Sequence, residues 1–213
     1  MSAFRRLTLG RATVVSVAVD SALVLATLLA TPFLVARLGP EPYGILGMVS
    51  VLAGQLSVLQ LGIGPAVTRL VTEHRGRGDQ LRETTVTRTG VLLGSASGVL
   101  IGGLFAVVAP WVWTRVLTGT KSAVATALEA LVPSAIVVAA QPLVAVIAGT
   151  LLGQERFGAL GFFRLVHGLV RLGLPVLVVS RGGGVVSAIA AQAAADAIVV
   201  LVGAAAVWGT ARG

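Results

Sequence analysis

Residues 43–71 are almost all apolar, and this run constrains the chain more than any other feature. A helix rises ~1.5 Å per residue, so the run is long enough to cross a hydrocarbon core of ~30 Å. Gly39-Pro40-Glu41-Pro42 precedes it, and each proline lacks an N–H and pushes the residue before it out of the α region, so the chain must turn there. Arg69, Arg75, Arg77 and Arg82 crowd the other end and mark it as cytoplasmic by the positive-inside rule.

Composition agrees with a membrane setting. Hydrophobic residues make up 56% of the chain and charged residues 11%, whereas soluble domains carry ~25% charged residues. The mean hydropathy is +0.97. The absence of cysteine excludes disulfides, thiolate metal sites and cysteine nucleophiles. The net charge of +8 sits beside apolar spans without interleaved aromatics, so it speaks for topology and anionic lipid rather than nucleic acid.

Six spans follow from the apolar runs, over residues 12–36, 44–72, 86–108, 125–152, 161–179 and 186–208. The first resembles a signal peptide in its leading Arg5, Arg6 and Arg11, but its apolar run exceeds an h-region of about 7–15 residues and no small-residue cleavage site follows. Thr13, Ser16, Asp20, Thr27 and Thr31 fall on one stripe of that helix, which is expected to face protein or water. The third span carries Gly90, Gly94, Gly98 and Gly102, a small-residue groove suited to close helix packing. Pro110 and Trp111 to Trp113 are expected at the membrane interface. Pro133 and Pro142 interrupt the fourth span. The expected fold is an all-α integral membrane protein, a single bundle of six transmembrane helices over residues 1–213. With the amino terminus inside, eleven arginines lie at cytoplasmic ends against four basic residues outside, which also returns the carboxyl terminus to the cytoplasm.

Ionisable groups within spans are costly, at ~2.5–3.5 kcal/mol on insertion scales, and each needs a partner or a function. Asp20, Arg171 and Asp196 are expected near mid-span. Arg164, His167 and Arg171 share one face of the fifth helix, and Gln192 and Asp196 share a face of the sixth. One reading has Arg164, Arg171 and His167 line a cavity whose positive charge attracts a pyrophosphate, since the guanidinium fork stays charged and bonds two phosphate oxygens. The alternative pairs Arg171 with Asp20 or Asp196 as a buried ion pair and lets Arg164 snorkel to the interface. Gly62, Gly64 and Pro65 form a hinge candidate, either a broken helix at a transport site or a simple bend near the surface.

Enzyme chemistry has little to stand on. Gly119-Thr120-Lys121-Ser122 lacks the spacing and the Gly-Lys order of a phosphate-binding loop. Only His74 and His167 are available to a metal, no H-E-x-x-H occurs, and the loops are short. No cofactor is implied.

The Gly39-Pro40-x-x-Tyr43-Gly44 turn, the helix carrying Leu61-Gly62-Ile63-Gly64-Pro65-Ala66 and the charged loop Gly76-Arg77-Gly78-Asp79 together resemble the polysaccharide-biosynthesis flippases. These are the O-antigen and teichoic-acid exporters of the multidrug/oligosaccharidyl-lipid/polysaccharide exporter superfamily. Leu151-Leu152-Gly153-Gln154-Glu155-Arg156-Phe157 is similar to the same family's loop before its fifth helix. The family has twelve to fourteen helices in two lobes, and the likeness covers the first. It implies movement of polyprenyl-pyrophosphate-linked oligosaccharide across a bacterial cytoplasmic membrane by alternating access, with membrane lipid around it. A second six-helix lobe is then expected, from a homodimer, a partner chain or a longer native chain. A cation-coupled drug or metabolite exporter using Asp20 or Asp196, and a non-transporting scaffold or remnant, are the other readings.

Overall fold

The computed structural model describes residues 2–57, 62–116 and 121–209, and every regular element among them is a helix. The elements are α1 (Ser2–Leu38), α2 (Pro40–Ser57), α3 (Ile63–Gly76), α4 (Gln80–Val116), α5 (Lys121–Glu129), α6 (Leu131–Gly153), α7 (Phe157–Ser180) and α8 (Val185–Gly209). Among the described residues, five helices are long and apolar enough to cross a membrane: Ser16–Leu38, Gln80–Arg115, Leu131–Gly153, Phe157–Ser180 and Val185–Ala205. The chain is a multi-pass, all-α membrane protein.

The continuous helix expected over 44–72 is instead two helices. Gly62 has φ +107° and ψ −21°, a left-handed conformation that a continuous right-handed helix cannot contain. Pro65 sits in the first turn of α3, where its missing N–H costs no helical bond. Residues 58–61, with Leu61 of the motif, lie outside the described residues. The fourth span also divides. Pro133 cannot donate to the carbonyl of Glu129, and the chain turns at Ala130 between α5 and α6.

Helices elsewhere run past their apolar segments. The first begins at Ser2, and α4 continues through Pro110 to Val116, because hydropathy marks what lies in lipid and not where backbone bonding stops. Connections are tight. Gly39, at φ +87°, turns the chain directly into Pro40 at the start of α2. Asp79 caps α4 by accepting from the backbone N–H of Arg82 at 3.1 Å.

The hub of the bundle is α6, which packs on α2, α3, α4, α7 and α8, while α1 lies outermost against α7 and α2. Gly98 and Gly102 let α4 close on α6. A Cβ on Gly98 would collide with the Ala139 carbonyl oxygen, and one on Gly102 would stand 2.8 Å from the Ala139 Cβ. Gly90 meets Val67 of α3 at 2.8 Å on the same test, and Gly94 meets Val146 at 3.1 Å. Thr68 on α3 donates to the Gly149 carbonyl of α6 at 3.1 Å, and a Cβ on Gly149 would fall 2.6 Å from the Gly64 carbonyl. Small residues thus bring α3, α4 and α6 to backbone contact.

At the opposite end, Trp113 packs into a core with Phe105, Ile45, Val49 and Ile189. Its ring meets Phe105 edge-on, centroids 6.0 Å apart. This corrects the interface reading for that residue, since Trp113 is fully buried in protein, while Trp111 is exposed and lies under the Arg115 guanidinium at 5.1 Å.

Candidate functional site

The polar groups within the spans gather in two places, both organised by α7. Arg164, His167 and Arg171 recur at helical spacing, so they lean toward neighbouring directions. His167 and Arg171 turn inward to α8, and Arg164 turns outward to α1.

Asp196 is the inner focus, with none of its surface exposed. His167 Nε2 lies 2.8 Å from Oδ1, as a donor when that nitrogen carries the proton. Gln141 of α6 donates from Nε2 to Oδ2 at 3.4 Å, and the same nitrogen donates to the Val137 carbonyl at 3.0 Å. Arg171 Nε stands 3.8 Å from Oδ2, an ion pair too long to be a hydrogen bond. Phe163 stacks on the His167 ring at 6.0 Å and shields it on one side. The acid is therefore held by three helices, α6, α7 and α8.

The outer focus is the Asp20–Arg164 pair. Arg164 donates from a terminal guanidinium nitrogen to Oδ1 of Asp20 at 2.8 Å, with side chains 42% and 52% exposed. Gly168, one turn beyond Arg164, takes the side chain of Leu23 against its bare Cα, and this contact seats α1 on α7 beside the pair.

The remaining candidates divide. Gln192 does not join the Asp196 cluster, and its Oε1 is buried without a hydrogen bond among the described residues. Along the polar stripe of α1, Thr27 and Thr31 return their hydroxyls to the helix carbonyls of Leu23 and Thr27, and Tyr43 reaches Thr31 at 3.4 Å. The side chain of Thr13 lies outside the described residues. Gly62 forms the break between α2 and α3, whereas Gly64 and Pro65 already belong to α3, with Gly64 buried on α6. Among the described residues no three His, Cys, Asp or Glu side chains approach closely enough to hold a metal ion.

A family model described as "Polysaccharide biosynthesis protein" matches residues 9–211. The chain belongs to that family. No curated protein and no solved structure matches it. The family match spans all eight helices, so both polar foci lie within the polysaccharide biosynthesis region and not in an appendage. Membership places a membrane protein of this kind in a transport role within polysaccharide synthesis.

Two participants in this family member escaped the sequence reading. Gln141 carries a weak signal, a lone amide among apolar residues one position before Pro142. A second network at the arginine-rich end joins Gln154 Nε2 to Glu83 Oε1 at 2.9 Å, with Arg75 3.4 Å from the same oxygen. It ties the loop after α6 to the start of α4, and nothing in the spacing of residues 71 positions apart announces it.

Proposed function

We propose that the chain forms one lobe of a flippase that moves a lipid-linked oligosaccharide across the bacterial cytoplasmic membrane. In this reading α2 and α3 together supply a sixth crossing, and both termini lie in the cytoplasm. The observation that carries it is the exposed Asp20–Arg164 pair on the flank of α1 and α7. Two charges inside apolar segments, open on the bundle surface, are unfavourable against lipid by several kcal/mol. They call for water or a second protein surface on that flank. A second six-helix lobe facing it, from a homodimer or a partner chain, encloses a polar cavity between the two.

Arg164 then has two possible anions. In the empty state it rests on Asp20. When a polyprenyl-pyrophosphate headgroup enters, the guanidinium fork exchanges one carboxylate for two phosphate oxygens, a gain in charge and in geometric match. The Asp196 cluster plays a different part. Its acid is sealed from the surface and its charge is met by Arg171 and His167, so it holds α6, α7 and α8 together as a unit that can rock as one body.

The test is the leaflet distribution of lipid-linked oligosaccharide in host cells that lack the chain. Restoring the wild-type chain brings the oligosaccharide to the outer leaflet, where an added glycosidase cuts it. Arg164→Ala fails to do so at equal protein level, and Arg164→Lys restores only part. An outer-leaflet pool indifferent to the deletion and to Arg164→Ala overturns the proposal. Loss of transport in Asp20→Asn with Arg164→Ala fully active points instead to a cation-coupled exporter.

A further inference from the structure

A cavity of about 410 Å³ lies between α6, α7 and α8, on a side of α7 away from Arg164 and separated from the His167 ring by Phe163. That volume falls in the ~300–1,000 Å³ range of ligand pockets. Ala159, Phe163, Val166 and Val170 line it from α7, and Ile198 and Val202 from α8. At 100° per residue this face of α7 points about 130° away from Arg164. The groove opens sideways, since Phe162 on its rim is 71% exposed and Ile198 and Val202 are exposed too. Gly203 keeps its floor low. A Cβ there would stand 2.8 Å from Ile147 and 3.3 Å from the Phe163 ring.

Its polar groups lie at one end. Arg156, exposed in the loop before α7, stands at the mouth beside Gln154. Gln154 is engaged with Glu83, whose charge Arg75 also meets. Among the described residues Arg156 has no acidic partner, although the exposed Glu155 precedes it. From Arg156 to Val170 the groove extends ~21 Å along α7, against ~15 Å for the hydrocarbon of one leaflet.

We infer that this groove binds an anionic phospholipid of the leaflet at the arginine-rich end, with one acyl tail along α7 and α8 and its phosphate on Arg156. Length, apolar lining and sideways opening suit a tail arriving from the bilayer. A free cation at the headgroup end selects for negative charge, and arginine bonds phosphate through two donors at once. The site is independent of the proposed flipping reaction, because it lies on another face of α7 from Arg164.

The whole chain in detergent, mixed with phosphatidylglycerol or with phosphatidylcholine of the same tails, is read by native mass spectrometry for retained lipid. One phosphatidylglycerol is retained about fivefold more than phosphatidylcholine, the preference expected of one arginine near a lipid surface. Arg156→Glu, in an exposed loop that carries no core packing, abolishes the preference, and Val166→Trp lowers retention of both lipids by filling the groove. The inference is overturned if Arg156→Glu keeps the preference or if Val166→Trp retains both lipids as the wild type does. It is overturned equally if a polyprenyl phosphate displaces phosphatidylglycerol from the site at equal concentration, which makes the groove a substrate site.

Discussion

His167 Nε2 stands 2.8 Å from Oδ1 of Asp196, an acid with no exposed surface, and this contact fastens α7 to α8 inside the bundle. Gln141 and Arg171 approach the other oxygen, so a single carboxylate organises three helices. Replacing buried ion pairs with apolar groups of matched shape is often neutral, but deleting one member leaves the others without a counter-charge.

Asp196→Ala is therefore expected to destabilise the bundle by roughly 3–5 kcal/mol, since Arg171, His167 and Gln141 lose their common acceptor at once. His167→Ala costs less, roughly 1–3 kcal/mol, because Arg171 and Gln141 still satisfy the acid. Thermal unfolding in detergent checks both. Equal, small losses for the two variants contradict the shared-acceptor account.

The glycines of α4 differ sharply in what surrounds them. Gly98 faces the Ala139 backbone, which cannot move aside as a side chain can, whereas Gly103 has nothing within 4 Å. Gly98→Ala is expected to cost roughly 1–3 kcal/mol by forcing α4 off α6. Gly103→Ala, by the helix propensity of alanine, is expected to be neutral or to stabilise by up to about 1 kcal/mol. The pair of melting curves, run side by side, separates close packing from backbone freedom.

Much of this architecture is legible in the sequence because each apolar run needs its own crossing, and α7 and α8 begin and end within a few residues of the runs that announce them. The break at Gly62 is a different case. Apolar residues continue on both sides of it, so hydropathy carries no sign of the turn; Gly62, Gly64 and Pro65 mark a hinge candidate but leave a broken helix and a simple bend both open, and the left-handed backbone at Gly62 decides for a break. The shared face of Arg164, His167 and Arg171 follows from helical spacing, but the choice of acid does not. Asp20 and Asp196 both fit as partners until α1 and α8 are each placed against α7. Gln141 is invisible for the same reason, since its role depends on which neighbour Asp196 meets.

Gly62→Ala places a side chain on a left-handed backbone at the junction of α2 and α3. The strain is expected to cost roughly 1–2 kcal/mol, with nothing within 4 Å for the methyl to strike among the described residues. Gly76→Ala, in the last turn of α3 and also without close neighbours, serves as the matched control and is expected to lie within about 0.5 kcal/mol of wild type. A Gly62→Ala variant as stable as the Gly76→Ala control contradicts a fixed break at that point.

The central claim is that the Asp20 flank of α1 meets water inside the membrane. The chain has no cysteine, so single introduced thiols report without background. Asp20→Cys and Thr27→Cys lie on one side of α1, and Leu29→Cys, at a position 77% exposed, lies about 180° around the helix from Asp20. Labelling sealed membranes from either side with a charged, membrane-impermeant thiol reagent is predicted to modify positions 20 and 27 and to leave position 29 unmodified. Equal protection of all three positions contradicts the claim and returns that flank to lipid.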